Sequence, residues 1–139
     1  HVMGVFLVVL ATACASKSSA PDVGVFVHTP KEALALAKAT GKPIFVHVGA
    51  EWCKPCRRLH NEIYPLAPVK AALEPYVLLE LDMDKIGDDD REILRAMKVQ
   101  SIPMVAVFES DLKTFKNEPM VARAESAWVL NYLKAMGEP

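Results

Sequence analysis

Lys42-Pro43-Ile44-Phe45-Val46-His47-Val48-Gly49-Ala50-Glu51-Trp52-Cys53-Lys54-Pro55-Cys56-Arg57-Arg58 is the stretch that decides the fold. Pro43 to Val48 is a short, β-branched, apolar run opened by a proline, the pattern of a buried strand. It leads directly into two cysteines separated by two residues, which can close a disulfide with little backbone movement. A helix beginning at Cys53 would make the two sulfurs unequal. Cys53 would be exposed at the helix N-terminus, where unpaired N–H groups favour a thiolate. Cys56, one turn in, would face the body of the protein. That asymmetry makes Cys53 the attacking nucleophile and Cys56 the resolving thiol. Lys54, Arg57 and Arg58 add positive charge nearby, although each also reads as a solvated surface charge. The same spacing serves structural disulfides and zinc sites. Zinc wants four ligands, and only His60 lies conveniently close in sequence, so no metal is expected.

Outward from this stretch, Arg57 to Ile63 keeps helix-compatible spacing. Val99-Gln100-Ser101-Ile102-Pro103-Met104-Val105-Ala106-Val107-Phe108 reads as a loop, a proline and then a strand. Strand, Trp52-Cys53-Lys54-Pro55-Cys56, helix, then Ser101-Ile102-Pro103 before a strand: this order resembles the thioredoxin family over roughly Val23 to Met136. The Lys-Pro-Ile entry, Ala50-Glu51-Trp52-Cys53 and the acidic loop after the third strand look most like the C-terminal domain of the bacterial transmembrane disulfide reductase. Stand-alone periplasmic thioredoxins fit equally well.

The resemblance implies an α/β thioredoxin-like fold, with a central mixed β-sheet flanked by helices on both faces. It also implies that Pro103 is a cis-proline beside the disulfide and that the Ile102 backbone and Trp52 meet the substrate. Pro55 is more typical of reducing than of oxidising members. His47 is a departure. It stands six residues before Cys53, where thioredoxins commonly carry a buried aspartate that moves the proton of the resolving cysteine. An imidazole could serve as that base; the plainer reading is a core histidine bonded to backbone. Glu51 could relay protons, or simply be a solvated loop charge.

The 139 residues suit one domain, and 52% of them are hydrophobic, enough for a core. A net charge of −1 leaves no footprint for nucleic acid or an anionic membrane. Residues 1–20 are read as an export segment and linker, and 21–139 as the thioredoxin-like domain. Val2 to Ala13 is apolar and about right for a signal-peptide core. Small residues before Cys14 resemble a lipobox, making Cys14 a lipidation site, while Ala11-Thr12-Ala13 equally reads as an ordinary cleavage site; a buried N-terminal element is the other reading. No basic region precedes this run and the chain opens His1-Val2-Met3, so the start reads as a truncation or a cloning scar. Lipidation would also account for the odd third cysteine.

Along the domain, Val23 to Val27 reads as a first strand. Thr29, Pro30 and Glu32 form a helix start, with Gly41 ending that helix. A helix near Cys53 is disturbed by Pro65 and Pro68 and resumes to about Leu73. Tyr76 to Leu81 is a strand, and Asp88 to Met97 an acid-started helix. Met104 to Phe108 pairs with a short Thr114 to Lys116. Ser126 caps a last helix to Met136 that buries Val129, Leu130 and Leu133. Asp82 to Asp88 superficially suggests a calcium loop, but Ile86 and Ile93 occupy ligand positions, so an exposed acidic loop is expected.

The function expected is a cofactor-free thiol–disulfide oxidoreductase of the bacterial cell envelope, periplasmic or anchored facing the periplasm. It would be a monomer that reduces protein disulfides, with a membrane electron donor as partner. The alternatives are a non-catalytic thioredoxin-fold binding module and a dithiol oxidase. Direction depends on potential and compartment poise, which sequence does not set.

Overall fold

The computed structural model describes residues 25–135. Residues 1–20, with Cys14 and the apolar run, lie outside the described part. Helix α1 spans Pro30–Thr40. The Thr29 hydroxyl accepts from the Glu32 backbone N–H at 3.2 Å, and Pro30 at the first position has no N–H to satisfy. The Glu32 carboxylate reaches the His28 N–H rather than that of Thr29, so the box is displaced by one residue. Gly41 closes the helix at φ 72°, a left-handed conformation that favours glycine.

Strand β1, Ile44–Gly49, is buried along its whole length. It pairs in parallel with β2 (Val77–Asp82) and antiparallel with β3 (Met104–Phe108). β3 pairs antiparallel with β4 (Phe115–Val121), giving the order β2-β1-β3-β4. Val27 adds a single parallel bridge to Leu79 on the far side of β2. Among the described residues of the expected first strand only Val27 is paired, and Val23 and Gly24 lie outside the described part. β4 is longer than expected because, among the described residues, it is an edge strand: Pro119 costs no ladder bond on an open edge, and the pairing absorbs two register shifts.

The helices divide between the two faces. Ile44, Val46 and Val48 pack with Ala33 and Ala37 of α1 and with Ile93 and Met97 at α4 (Asp88–Ala96). Phe45 faces the other way, among Leu59, Ile63, Val69, Leu73, Val129 and Leu133. These come from the π-helical turn over Leu59–Ile63 that continues α2 (Lys54–Arg58), from α3 (Ala67–Leu73) and from α5 (Ser126–Lys134). Alternation along β1 therefore fills two cores from one strand. Truncating Phe45 to Ala would cost about 3–5 kcal/mol.

The proline expectations are partly corrected. Pro65 falls in the break between helical segments, but Pro68 lies in the first turn of α3, where proline is tolerated. Ser126 is the first residue of α5 rather than its cap. Glu125 stands at the cap without a capping side-chain bond, and Tyr132 takes the buried place expected of Leu130, which is half-buried.

Candidate active site

β1 ends at Gly49, and the chain turns through an Ala50 C=O to Cys53 N–H bond of 3.1 Å. Cys53 is the N-cap of α2, with φ −79° and ψ 106°. Its sulfur accepts from the Cys56 N–H at 3.3 Å and is bonded to the Cys56 sulfur, with the two Cα atoms 5.2 Å apart. Cys53 is not the exposed residue expected from sequence. It is 5% exposed and Cys56 3%. Ile102 packs over both, together with Ala50. A sulfur committed to a disulfide is pulled toward its partner, and the loop before β3 covers it. The Ile102–Pro103 peptide bond is cis, and Pro103 is buried, its C=O accepting from the Ala122 N–H at 2.8 Å.

Two hollows flank the pair. The front groove, about 790 Å³, is bordered by Lys54, Pro55, Arg57, Ile102, Pro103 and Arg123. Arg57 donates to the Glu51 carbonyl, and Arg58 pairs with Glu62 at 3.4 Å with both groups exposed, an interaction of little energy. Trp52 is 66% exposed, its ring N–H donating to Asp84 at 3.3 Å. The back cleft, about 710 Å³, reaches Cys56 and is bordered by His28, His60, Glu80, Asp82 and Asp90.

His47 is completely buried on the same face of β1 as Phe45. Its Nδ1 lies 2.7 Å from the Tyr64 hydroxyl, so it is bonded to a side chain rather than to backbone. Its Nε2 has no partner among the described residues. A methyl placed on Gly49 would come within 2.8 Å of that Nε2 and 3.1 Å of the Cys56 sulfur. The imidazole and the Cys56 sulfur thus border one small space that only glycine leaves open. Burial, reinforced by the positive charge His60 could carry, pushes the His47 pKa down to about 3. The ring stands where a base would stand, yet in the oxidised protein its proton affinity is far below that of a thiolate.

His60 packs edge-on to His47 with ring centres 4.5 Å apart, and it also touches Phe26 and Tyr64. Its Nε2 is 3.4 Å from a Glu80 carboxylate oxygen. That is ion-pair distance without hydrogen-bond geometry, since the same nitrogen is otherwise unpartnered among the described residues. Burial lowers the His60 pKa, the Glu80 carboxylate pulls it back up, and His28 lowers it. Tyr64 is raised above the ordinary phenol by burial and by Glu80.

Sequence reading missed Tyr64 and Glu80, and noticed His60 only as an insufficient metal ligand. The helical spacing of Cys56 and His60, four residues apart, was the available signal. Glu80 reaches the site through parallel pairing with His47, which no local pattern reveals. Among the described residues no group of three or more His, Cys, Asp or Glu side chains is placed to hold a metal.

Residues 27–110 match the family described as thioredoxin-like. The chain belongs to that family. It is 33% identical over 103 residues to the thiol:disulfide interchange protein DsbD of Ralstonia nicotianae, covering 69% of this chain and 17% of that protein. The DsbD of Vibrio vulnificus is 26% identical over 108 residues, covering 78% and 18%. The chain therefore spans less than a fifth of the length of these relatives. Among solved structures, a Thermus thermophilus thioredoxin superposes with a TM-score of 0.66 at 20% identity, covering 82% of this chain and 88% of that one. The oxidised C-terminal domain of Neisseria meningitidis DsbD gives 0.63 at 17% identity, covering 76% and 90%. At these identities the structural matches establish the thioredoxin fold, which is the mixed sheet with helices on both faces described above.

Proposed function

We propose that this thioredoxin-like chain is a thiol–disulfide oxidoreductase of the bacterial cell envelope that reduces protein disulfides. The observation that carries the reading is the Cys53–Cys56 disulfide at the start of α2, covered by Ile102 and next to a groove bordered by Lys54, Pro55, Ile102 and Pro103. In the reduced protein the Cys53 thiolate attacks a client disulfide, forming a mixed disulfide and releasing one client thiolate. The Cys56 thiolate then attacks the Cys53 sulfur. The bond to the client breaks, the client leaves as a dithiol, and Cys53–Cys56 is oxidised.

The client backbone lies along Ile102, with Trp52 and Pro103 shaping the rim, and Lys54, Pro55 and Arg57 framing the nucleophile. No cofactor enters the cycle. A dithiol must recharge the pair, and the likeness to part of DsbD supports a membrane electron-donor protein as its source. That likeness also supports a periplasm-facing domain, which in this reading acts as a monomer. Cys14 would serve as the lipid anchor; one acyl chain binds only marginally, so firm attachment needs a second. No helix among the described residues is long and apolar enough to cross a membrane.

Insulin reduction fed by a small dithiol tests the reading. Wild-type protein should turn over. Cys56→Ser should accumulate mixed disulfide on Cys53, and Cys53→Ser should accumulate none. Turnover retained by Cys53→Ser, or absent from the wild type, would sink the assignment. The reduction potential of the pair then tests the direction, since an oxidising potential would favour the reverse reaction.

A further inference from the structure

The disulfide cycle requires a proton to leave Cys56, and the residues behind that sulfur make an arrangement that the cycle above does not use. His60 follows Cys56 by four residues, in the π-helical turn that continues α2. Both border the back cleft. Glu80 stands 3.4 Å behind the His60 ring on β2. A thiol, an imidazole and a carboxylate in that order match the general logic of an activated nucleophile, its base and the group that orients the base.

His47 is different in kind. The Tyr64 hydroxyl has His47 Nδ1 as its one side-chain partner among the described residues. A buried hydroxyl that kept its hydrogen from that acceptor would leave it unsatisfied. The O–H therefore donates to Nδ1, and the ring hydrogen resides on Nε2. That is the nitrogen sharing the Gly49 space with the Cys56 sulfur.

Resting on the oxidoreductase reading, we propose that the two imidazoles divide the proton chemistry of resolution. His60, backed by Glu80, takes the Cys56 proton through the back cleft, directly or by way of one water. His47, oriented by Tyr64, keeps its proton and donates an Nε2–H hydrogen bond to the Cys56 sulfur as that sulfur becomes a thiolate. In the balanced step, the Cys56 S–H proton passes to His60 and the resulting thiolate attacks the Cys53 sulfur. The bond to the client breaks, the client sulfur leaves with the electron pair, and His60 returns its proton to the cleft or to the leaving thiolate. Pairs of titrating groups whose surroundings differ commonly split acid–base roles in this way. Here one ring is sealed in the core and the other borders the cleft.

The groups facing His60 are Glu80 from β2, His47 from β1, Tyr64 from its own helical run, and Phe26 and His28 from the segment before α1. Asp82, Lys85, Asp90 and Arg57 border the same cleft further out. Glu80 is the group that favours the protonated ring, and His28 opposes it. Exchanging Glu80 for a neutral residue should therefore move the His60 titration to lower pH. Glu80 and Tyr64 are positioning residues in this scheme.

Single-turnover reaction of the reduced protein with a disulfide peptide, acid-quenched between pH 5 and 9.5, separates attack from resolution. His60→Asn should form mixed disulfide at the wild-type rate and resolve it about 100-fold more slowly at pH 7. It should recover near pH 9.5, above the roughly 8.5 at which an ordinary thiol ionises unaided. Glu80→Gln should lower the midpoint of both the resolution profile and the His60 ring titration followed by NMR. Nitrogen-15 NMR should place the His47 hydrogen on Nε2, and Tyr64→Phe should release that preference.

The proposal falls if folded His60→Asn resolves at the wild-type rate across pH 6 to 8, or if its defect persists at pH 9.5. A His47 hydrogen found on Nδ1 also overturns it. Should His60→Asn fail to fold, an unmoved midpoint in Glu80→Gln decides against it. Wild-type protein that never forms mixed disulfide refutes the oxidoreductase reading itself, which these variants do not.

Discussion

The groove in front of Cys53–Cys56 and the cleft behind it are similar in size, about 790 and 710 Å³, but are built from different material. The front is made of loop ends and exposed cations, with Ile102 and Pro103 as its apolar floor. Its charges are solvated or paired at the surface, where they contribute little to stability. At the back, His60 and Glu80 line the cleft, while His47 and Tyr64 sit behind them in the core, supplied by β1, β2 and one helical run. Low dielectric there makes every polar contact consequential and every orphaned one costly. Substitutions at the front therefore carry a small structural penalty, whereas those at the back disturb the core and the surroundings of Cys56 together.

The largest effect expected from that contrast is an acid sensitivity that belongs to the back alone. The His47 pKa is depressed to about 3 in the folded protein. The unfolded chain binds its proton near 6.5, so below that pH unfolding takes up a proton that the native state refuses. Stability from this group is complete above about 6.5 and lost as pH falls toward 3, by roughly 4 kcal/mol. The downward shift of His60 acts in the same direction. Urea denaturation at pH 7, 5 and 4 should show the slope, and His47→Gln should flatten it. An unchanged slope in a folded His47→Gln would place the acid sensitivity elsewhere.

Next in size is Gly49→Ala. Its methyl would press on His47 Nε2 and the Cys56 sulfur at 2.8 and 3.1 Å. Overpacking of this kind costs about 1–3 kcal/mol. The urea midpoint should drop at constant m value, and resolution should slow more than attack. A neutral outcome would mean that the space behind Cys56 is looser than the contact distances indicate.

The smallest effect belongs to the front. Arg123→Glu should leave stability within about 0.5 kcal/mol of wild type, as surface substitutions generally do. It should raise KM for a client peptide with acidic flanks by about threefold, while leaving a neutral peptide unchanged. A loss of stability comparable to that of Gly49→Ala would erase the distinction between the two sides.

Much of this site was legible because its parts are local. The apolar run at Pro43 to Val48, the Cys53–Cys56 spacing, the helix cap at Thr29 and Gly41, and the proline at position 103 all depend on residues within one turn or one strand. Such patterns survive in a linear string because they reflect steric and hydrogen-bonding rules between near neighbours. The errors were at places where a distant segment decides the outcome. β4 extended past Lys116 because β3 offered a partner and, among the described residues, no strand lay beyond it. Cys53 proved covered because Ile102 arrives from the loop before β3.

The sequence by itself determined the order of elements and the identity of the two sulfurs, since periodicity and a short cysteine spacing require no knowledge of what lies across the molecule, and the resemblance to thioredoxins carried by that order implied the family and the mixed sheet between helices. Only the tertiary structure decided the environment of His47. The same imidazole would be a useful base in a wet pocket and is a neutral, sealed group here. The difference comes from Tyr64 on the following helical run, His60 beside it and Glu80 in parallel register on β2. Desolvation and orientation are properties of the space around a group, and that space is filled by residues up to 33 positions away in the chain.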